Sequence, residues 1–314
     1  MYSIPMTTRF RGITVREGLL FRGPAGWGEF CAFPEYDDRE STAWFAAARE
    51  AAFDGWPEPV RDTVPVNCIV PAVVAERAAE LVRASGCGTA KVKIADRPGS
   101  AGEDRERVAA VRDALGPAGH VRIDANAGWD VDTAVREIRA LDRAAGGLQY
   151  VEQPCATIEE LAAVRRRVDV RIAADESIRR AEDPSKVALA GVADVAILKC
   201  LPLGGVRRAL AVAEACGLPC VVSSALESSV GLAAEIALAA ALPDLEYACG
   251  LGTGRLFTTD VAAEEERLIP RDGMLPVLRR APEPVRRAEV AADPERAAWW
   301  RVRAERIASA LLRA

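Results

Sequence analysis

From about residue 64 the chain alternates short, nearly unbroken apolar runs with longer segments whose apolar positions recur at helical spacing. The runs are "VPVNCIVP" (64–71), "TAKVKIA" (89–95), "HVRIDA" (120–125), "LQYVEQP" (148–154), "VRIAADE" (170–176), "ADVAILKC" (193–200), "LPCVVSSAL" (218–226) and "YACGLGTG" (247–254). Between them, stretches such as "AERAAELVRAS", "TAVREIRALDRA" and "TIEELAAVRRRV" predict amphipathic helices, several opening near Asp or Thr and several stopping at Gly. Runs of Val, Ile and Ala that do not alternate with polar residues are buried on both faces, as in a parallel sheet. Eight of them alternating with helices predict an α/β chain closed into a TIM-type barrel. An open doubly wound sheet is the alternative.

Residues 1–63 follow another rhythm. Alternation in "RFRGITVREGLLFR", a Gly-rich turn in "GPAGWGEF" and a helical "STAWFAAAREAAF" mark a separate α+β unit. After about residue 255 come "RLIP", "GMLPVL" and a final helix from roughly Pro294 to Leu312, expected to pack back on that unit. The expected division is therefore a capping domain at 1–63, a barrel at 64–254 and a returning segment at 255–314.

Composition narrows the function. The 314 residues are half hydrophobic and 28% charged, which describes a folded globular chain without a long disordered tail. A net charge of −5 argues against nucleic acid or an anionic membrane as partner. The start, "MYSIPMTTRF", has no basic stretch followed by an apolar one, and no run approaches a membrane span, so a cytoplasmic location is expected. The eight cysteines are scattered through apolar segments and read as reduced buried thiols. His120 is the only histidine and begins its strand, far from where chemistry is expected.

In a parallel barrel the active site lies at the C-terminal ends of the strands. From the second run onward those ends carry Lys93, Asp124, Glu152, Asp175, Lys199, Ser223 and Gly252, spaced 23 to 31 residues apart. Three carboxylates converging on one mouth repel one another unless a cation neutralises them. Their all-oxygen character favours Mg²⁺ or Mn²⁺ over zinc; the alternative is that each acid caps a helix or pairs with an arginine. Only four of the 41 basic residues are lysine: Lys91, Lys93, Lys186 and Lys199. Arginine keeps its proton, whereas lysine can give one up. Lys93 and Lys199 end strands four apart and should face each other across the carboxylates, their pKa lowered by the nearby cation and by one another. Lys91 shares the inward parity of Lys93, and could polarise a substrate carboxylate or depress its neighbour's pKa. A metal and opposed amines suit removal of a proton next to a carboxylate, with the cation stabilising the enediolate. The "GLGTG" loop (250–254) could hold an anion on its backbone N–H groups, with Ser223 and Ser224 donating to the same group.

The order K-x-K, "DANAGW", "VEQP", "ADES" and "LK" resembles the muconate-lactonizing branch of the enolase superfamily across the whole barrel. Within it, "GWGEFCAFPEY", "VEQPC", "ADESIR", "LKCLPLGG" and "SSALESSVGLA" resemble the o-succinylbenzoate synthase family, short actinobacterial type. The resemblance implies a modified (β/α)7β barrel with an α+β cap built from both termini. It implies a lyase that dehydrates 2-succinyl-6-hydroxy-2,4-cyclohexadiene-1-carboxylate to o-succinylbenzoate in menaquinone biosynthesis. By the same resemblance Lys93 is the base that then assists loss of hydroxide, and Lys199 is a cation over the other face. Asp124, Glu152 and Asp175 hold Mg²⁺, with Asn126 and Glu176 behind them. Ser223, Ser224, Gly252 and Thr253 line the succinyl pocket, and Arg9 to Thr14 form part of a shielding loop. The cap is shorter than in most relatives, so loop contacts to substrate carry over poorly. Rival readings are an N-acylamino-acid racemase or dipeptide epimerase using both lysines, a Schiff-base aldolase through Lys199, and a barrel kept only for binding. The expected partner is a small carboxylate; the oligomeric state is left open.

Overall fold

The computed structural model of the protein describes residues 1–311. Its first three strands, β1 (Tyr2–Phe10), β2 (Ile13–Arg22) and β3 (Trp27–Phe30), form an antiparallel sheet. A helix α1 (Asp38–Arg49) follows, opened by the Asp37 carboxylate accepting from the backbone N–H of Glu40. It runs into one π-helical turn at Glu50–Asp54, closed by Gly55 at φ 66°. The apolar run at 64–71 is divided between two sheets. Its first part is β4 (Thr63–Pro65), paired antiparallel with a later strand, and its second is β5 (Cys68–Val70) of the parallel sheet.

Six more βα repeats build the barrel: α2 (Ala75–Ser85), β6 (Thr89–Lys93), α3 (Ala101–Leu115), β7 (His120–Asp124), α4 (Val131–Ala145), β8 (Leu148–Glu152), α5 (Ile158–Arg165), β9 (Ile172–Ala174), α6 (Glu176–Arg179), β10 (Val195–Leu198), α7 (Cys200–Leu203), α8 (Val206–Cys216), β11 (Cys220–Val222) and α9 (Ser229–Ala241). Strands β5 to β11 lie side by side in sequence order, all parallel. Local chemistry explains the helices well. In α4, Asp130 caps the first turn, Gly146 closes the last in the left-handed region, and Ala134, Ile138, Leu141 and Ala145 make the buried stripe. In α5, Thr157 and Glu160 form a reciprocal capping box.

The eighth expected strand is not a strand. Residues around 249–250 make only two bridging contacts, Cys249 beside Val66 and Gly250 beside Ser223, which close the barrel between β11 and the chain ahead of β5. Backbone N–H groups of Cys249 and Gly250 donate to Pro65 and Val222. The glycines explain the brevity: they bring no side chain to pack, and a Cβ on Gly250 would lie 2.6 Å from Ser223 Oγ. The chain then turns into a 3₁₀ segment, Gly252–Leu256, passes through β12 (Met274–Pro276), the partner of β4, and ends in α10 (Pro294–Leu311). Leu312, the expected end of that helix, lies outside the described residues.

The last helix packs on α1. Trp300, fully buried, stands edge-on to Phe30 at 5.7 Å. Helix α9 is buried on every side, sandwiched between β3 of the cap and β11 of the barrel. Among the described residues no helix is long and apolar enough to cross a membrane.

Candidate active site

The barrel register determines which side chains meet. Lys93 pairs across from Asp124, and Asp124 from Glu152, so the three form one row over β6, β7 and β8. Neighbouring parallel strands lie about 4.8 Å apart, which puts the two carboxylates within reach of a common ion. Asp175 follows β9 at the next position round the mouth, and Lys199 follows β10. All three acids are at most 1% exposed.

Each carboxylate is held by a cation. Lys91 Nζ lies 2.9 Å from both oxygens of Glu152 and 3.4 Å from Asp124 Oδ2. Lys93 donates to Asp124 and, at 2.6 Å, to Asn126 Oδ1. Lys199 Nζ donates to Asp175 Oδ2 at 2.5 Å, while Arg179 Nε donates to the other oxygen at 3.0 Å. Arg179 also donates to Glu176 Oε1 at 2.6 Å, and Asn126 Nδ2 to the same oxygen at 3.3 Å.

The electrostatics reflect this crowding. Burial would raise all three acids, but Lys93 and Lys91 outweigh it at Asp124, holding that carboxyl well below the usual range. At Asp175, Arg179 and Lys199 do the same and bring it to about 2. At Glu152 burial wins, reinforced by the charges of Asp124 and Asp175, and its pKa rises to about 7. Burial would lower the Lys91 ammonium, yet Glu152 and Asp124 overcome it and the pKa is raised. Lys91 therefore keeps its proton, its charge committed to two acids at the cavity wall.

Among the described residues no three His, Cys, Asp or Glu side chains stand as a ready chelate; ammonium groups lie among the carboxylates instead. The donor set nevertheless fits a hard divalent ion: three buried carboxylates on adjacent strands, no nitrogen or sulfur ligand, and a buried Glu176 Oε2 without a hydrogen-bond partner.

Above the row lies a cavity of about 60 Å³, walled by Lys91, Lys93, Asp124, Asn126 and Lys199 on one side and by Ser223, Ser224, Ala225, Leu226 and Thr253 on another. Ser224 and Thr253 share a hydrogen bond of 2.6 Å. Its roof comes from the cap: Phe10 and Arg11 at the β1–β2 turn, with Phe33, Tyr36 and Trp44. Gly252 departs from expectation. It borders a separate cavity beyond Ile69 with Thr7, Cys68 and Arg255, and a Cβ there would lie 2.9 Å from the Asn67 carbonyl. Of the shielding segment, Phe10 and Arg11 reach the cavity wall, while Ile13 and Thr14 do not. His120 opens β7 at the far end and is solvent-accessible.

Two groups in the site escaped the sequence reading. Arg179, four residues after Asp175, grips that acid and Glu176; its offset along a helical turn was the available signal. Tyr36 accepts from Arg11 Nη2 at 2.7 Å and from Arg179 Nη1 at 3.2 Å, joining the cap to the acids.

A parallel barrel with acids and amines gathered at its C-terminal mouth, under a cap formed by both chain ends, defines an enolase-type enzyme. Residues 73–282 match the family described as Enolase C-terminal domain-like, and residues 1–52 that described as Enolase N-terminal domain-like. The chain belongs to the enolase superfamily and, within it, to the o-succinylbenzoate synthase family. It is 64% identical over 298 residues to o-succinylbenzoate synthase of Thermobifida fusca, covering 95% of this chain and 92% of the relative. It is 56% identical over 299 residues to that of Mycolicibacterium smegmatis, covering 95% and 91%. Muconate lactonizing enzyme of Pseudomonas putida has the same fold, with a TM-score of 0.72 at 21% identity over 95% of this chain and 97% of that one. Membership in the superfamily implies dependence on a divalent metal.

Proposed function

We infer that this chain is an o-succinylbenzoate synthase, a lyase that dehydrates 2-succinyl-6-hydroxy-2,4-cyclohexadiene-1-carboxylate to o-succinylbenzoate, serving menaquinone biosynthesis with Mg²⁺ as its metal. The observation that carries the reading is the placing of Lys93 and Lys199 at the ends of β6 and β10, on either side of the acids. Lys93 takes the proton α to the ring carboxylate. The resulting ammonium then returns a proton to the departing hydroxide on the same face, so water leaves and the ring becomes aromatic. Lys199 remains a cation over the opposite face, where it stabilises the electron-rich intermediate. Asp124, Glu152 and Asp175 would hold the metal, which supplies positive charge to the reacting carboxylate when bound. Asn126 and Glu176 orient Lys93 and Arg179.

The decisive measurement is turnover of the cyclohexadiene substrate by loss of its absorbance. Activity should require Mg²⁺ and vanish with EDTA. Lys93→Ala should lose about 10²- to 10⁴-fold in kcat, the usual contribution of a positioned base; wild-type turnover by that variant would reject the base assignment.

A further inference from the structure

One buried cation near the cavity has no part in the chemistry above. Arg16 of β2 is 1% exposed and belongs to the cap, yet its donors reach into the barrel. Nε donates to the Leu226 carbonyl at 2.8 Å and Nη2 to the Ala225 carbonyl at 3.3 Å; Nη2 also donates to the Cys31 carbonyl. The guanidinium lies over the Phe33 ring at 4.3 Å. Among the described residues no carboxylate is bonded to it, although Glu29 and Glu227 are near enough for their charges to act on it.

Those carbonyls belong to the segment that walls the cavity, Ser223 to Leu226. Leu226 has φ 69°, a left-handed conformation that a branched side chain adopts only under constraint. Arg16 supplies that constraint by holding the two carbonyl oxygens on the side away from the cavity. Turned inward, they would present negative dipoles to any anion there. Turned outward, they leave the wall to the hydroxyls of Ser223, Ser224 and Thr253.

We propose that Arg16 is the positioning residue that turns this wall into a recognition site for the distal, succinyl carboxylate of the ligand. It acts through the Ala225 and Leu226 carbonyls and adds a fixed positive charge behind a dry wall, where Coulomb attraction is weakly screened. The assignment rests on the substrate reading given above. It extends that reading by naming what distinguishes a dicarboxylate from a monocarboxylate.

The test compares the Kd of o-succinylbenzoate with that of its distal monoamide, measured by calorimetry with Mg²⁺ present. Wild type should prefer the diacid by about tenfold or more, the scale of one charge-assisted contact. In Arg16→Met the preference should fall towards unity while the monoamide binds much as before. Arg16→Lys, which keeps the charge and one donor and so guards against a misfolded Met variant, should give an intermediate ratio. An unchanged ratio in either folded variant, or equal weakening of both ligands, would overturn the assignment and leave Arg16 a purely structural clamp. Failure of wild type to bind the diacid would instead overturn the substrate reading itself.

Discussion

Glu227 shows how far burial alone can move a group in this molecule. Its carboxyl is fully buried immediately past the cavity wall and accepts the Ala225 N–H on both oxygens, at 2.8 and 3.0 Å. Burial pushes its pKa up to about 7; the local N–H bonds and Arg16 resist, while Glu29 reinforces the rise. Because the folded pKa is raised above the ordinary 4.5, the folded state holds the proton more tightly. The stability this confers is complete below pH 4.5 and is lost as pH rises through 7. Thermal melts at pH 6 and pH 8.5 should therefore show a decline worth about 1.4 kcal/mol, one pH unit of the linkage. Glu227→Gln should flatten that decline. A variant as pH-sensitive as wild type would mean that the slope originates elsewhere, for instance at Glu235, which is also buried and raised.

At the level of elements, two uncapped helices of the barrel, and α9 in addition to its own Ser228 cap, borrow N-terminal acceptors from distant chain. Helix α7 starts at Lys199 without a side-chain cap, and Glu235 of α9 accepts from the N–H groups of Cys200 and Leu201 at 2.7 and 3.3 Å. Helix α8 starts at Gly205, and Glu50, from the π turn of the cap, accepts from Val206 and Arg207 at 2.5 and 3.2 Å. Glu29 of β3 accepts from Ser228 and Gly231 at the start of α9. Glu50→Ala should cost about 1–2 kcal/mol, the worth of a helix cap, which for a chain of this size lowers Tm by a few degrees. With no contact to the cavity, it should leave kcat/KM unaltered; a large kinetic loss would show that cap docking is transmitted to the site. These caps also mark what could be read beforehand. Asp130 and Thr157 precede their own helices and were visible in the sequence, whereas Glu50 lies more than 150 positions from the helix it serves. The same limit misplaced the last strand: "YACGLGTG" has strand-like neighbours, but its glycines yield only two bridges.

Across the whole molecule, the half of the site carried by the barrel was legible and most of the half carried by the cap was not. Lys93, Asp124, Glu152, Asp175 and Lys199 recur once per βα unit, and that period survives without knowledge of contacts. Arg11 belongs to the loop expected over the site by resemblance, whereas Phe33 and Tyr36 reach the mouth, and Arg16 its wall, only through the docking of one domain on another, which no local pattern records. The docking has an identifiable keystone in the final helix. Arg303 of α10, 3% exposed, donates to the carbonyls of Ala32, Phe33 and Tyr36 at 3.1, 2.9 and 2.8 Å and to Ser41 Oγ at 2.7 Å. Phe33 and Tyr36 are roof residues of the cavity, so the far end of the chain sets the ceiling over Lys93 and Lys199. Replacing Arg303 by Met keeps much of the apolar stem but strands four buried acceptors, at a cost of about 1–3 kcal/mol for each one that water cannot reach. Arg303→Met should therefore melt several degrees lower. It should also raise KM more than it lowers kcat, because the roof positions substrate while the barrel lysines, untouched by the change, carry the chemistry. Melting and steady-state kinetics on the same preparation separate these effects. A lower Tm with KM unaltered would show that α10 stabilises the cap without shaping the cavity it covers.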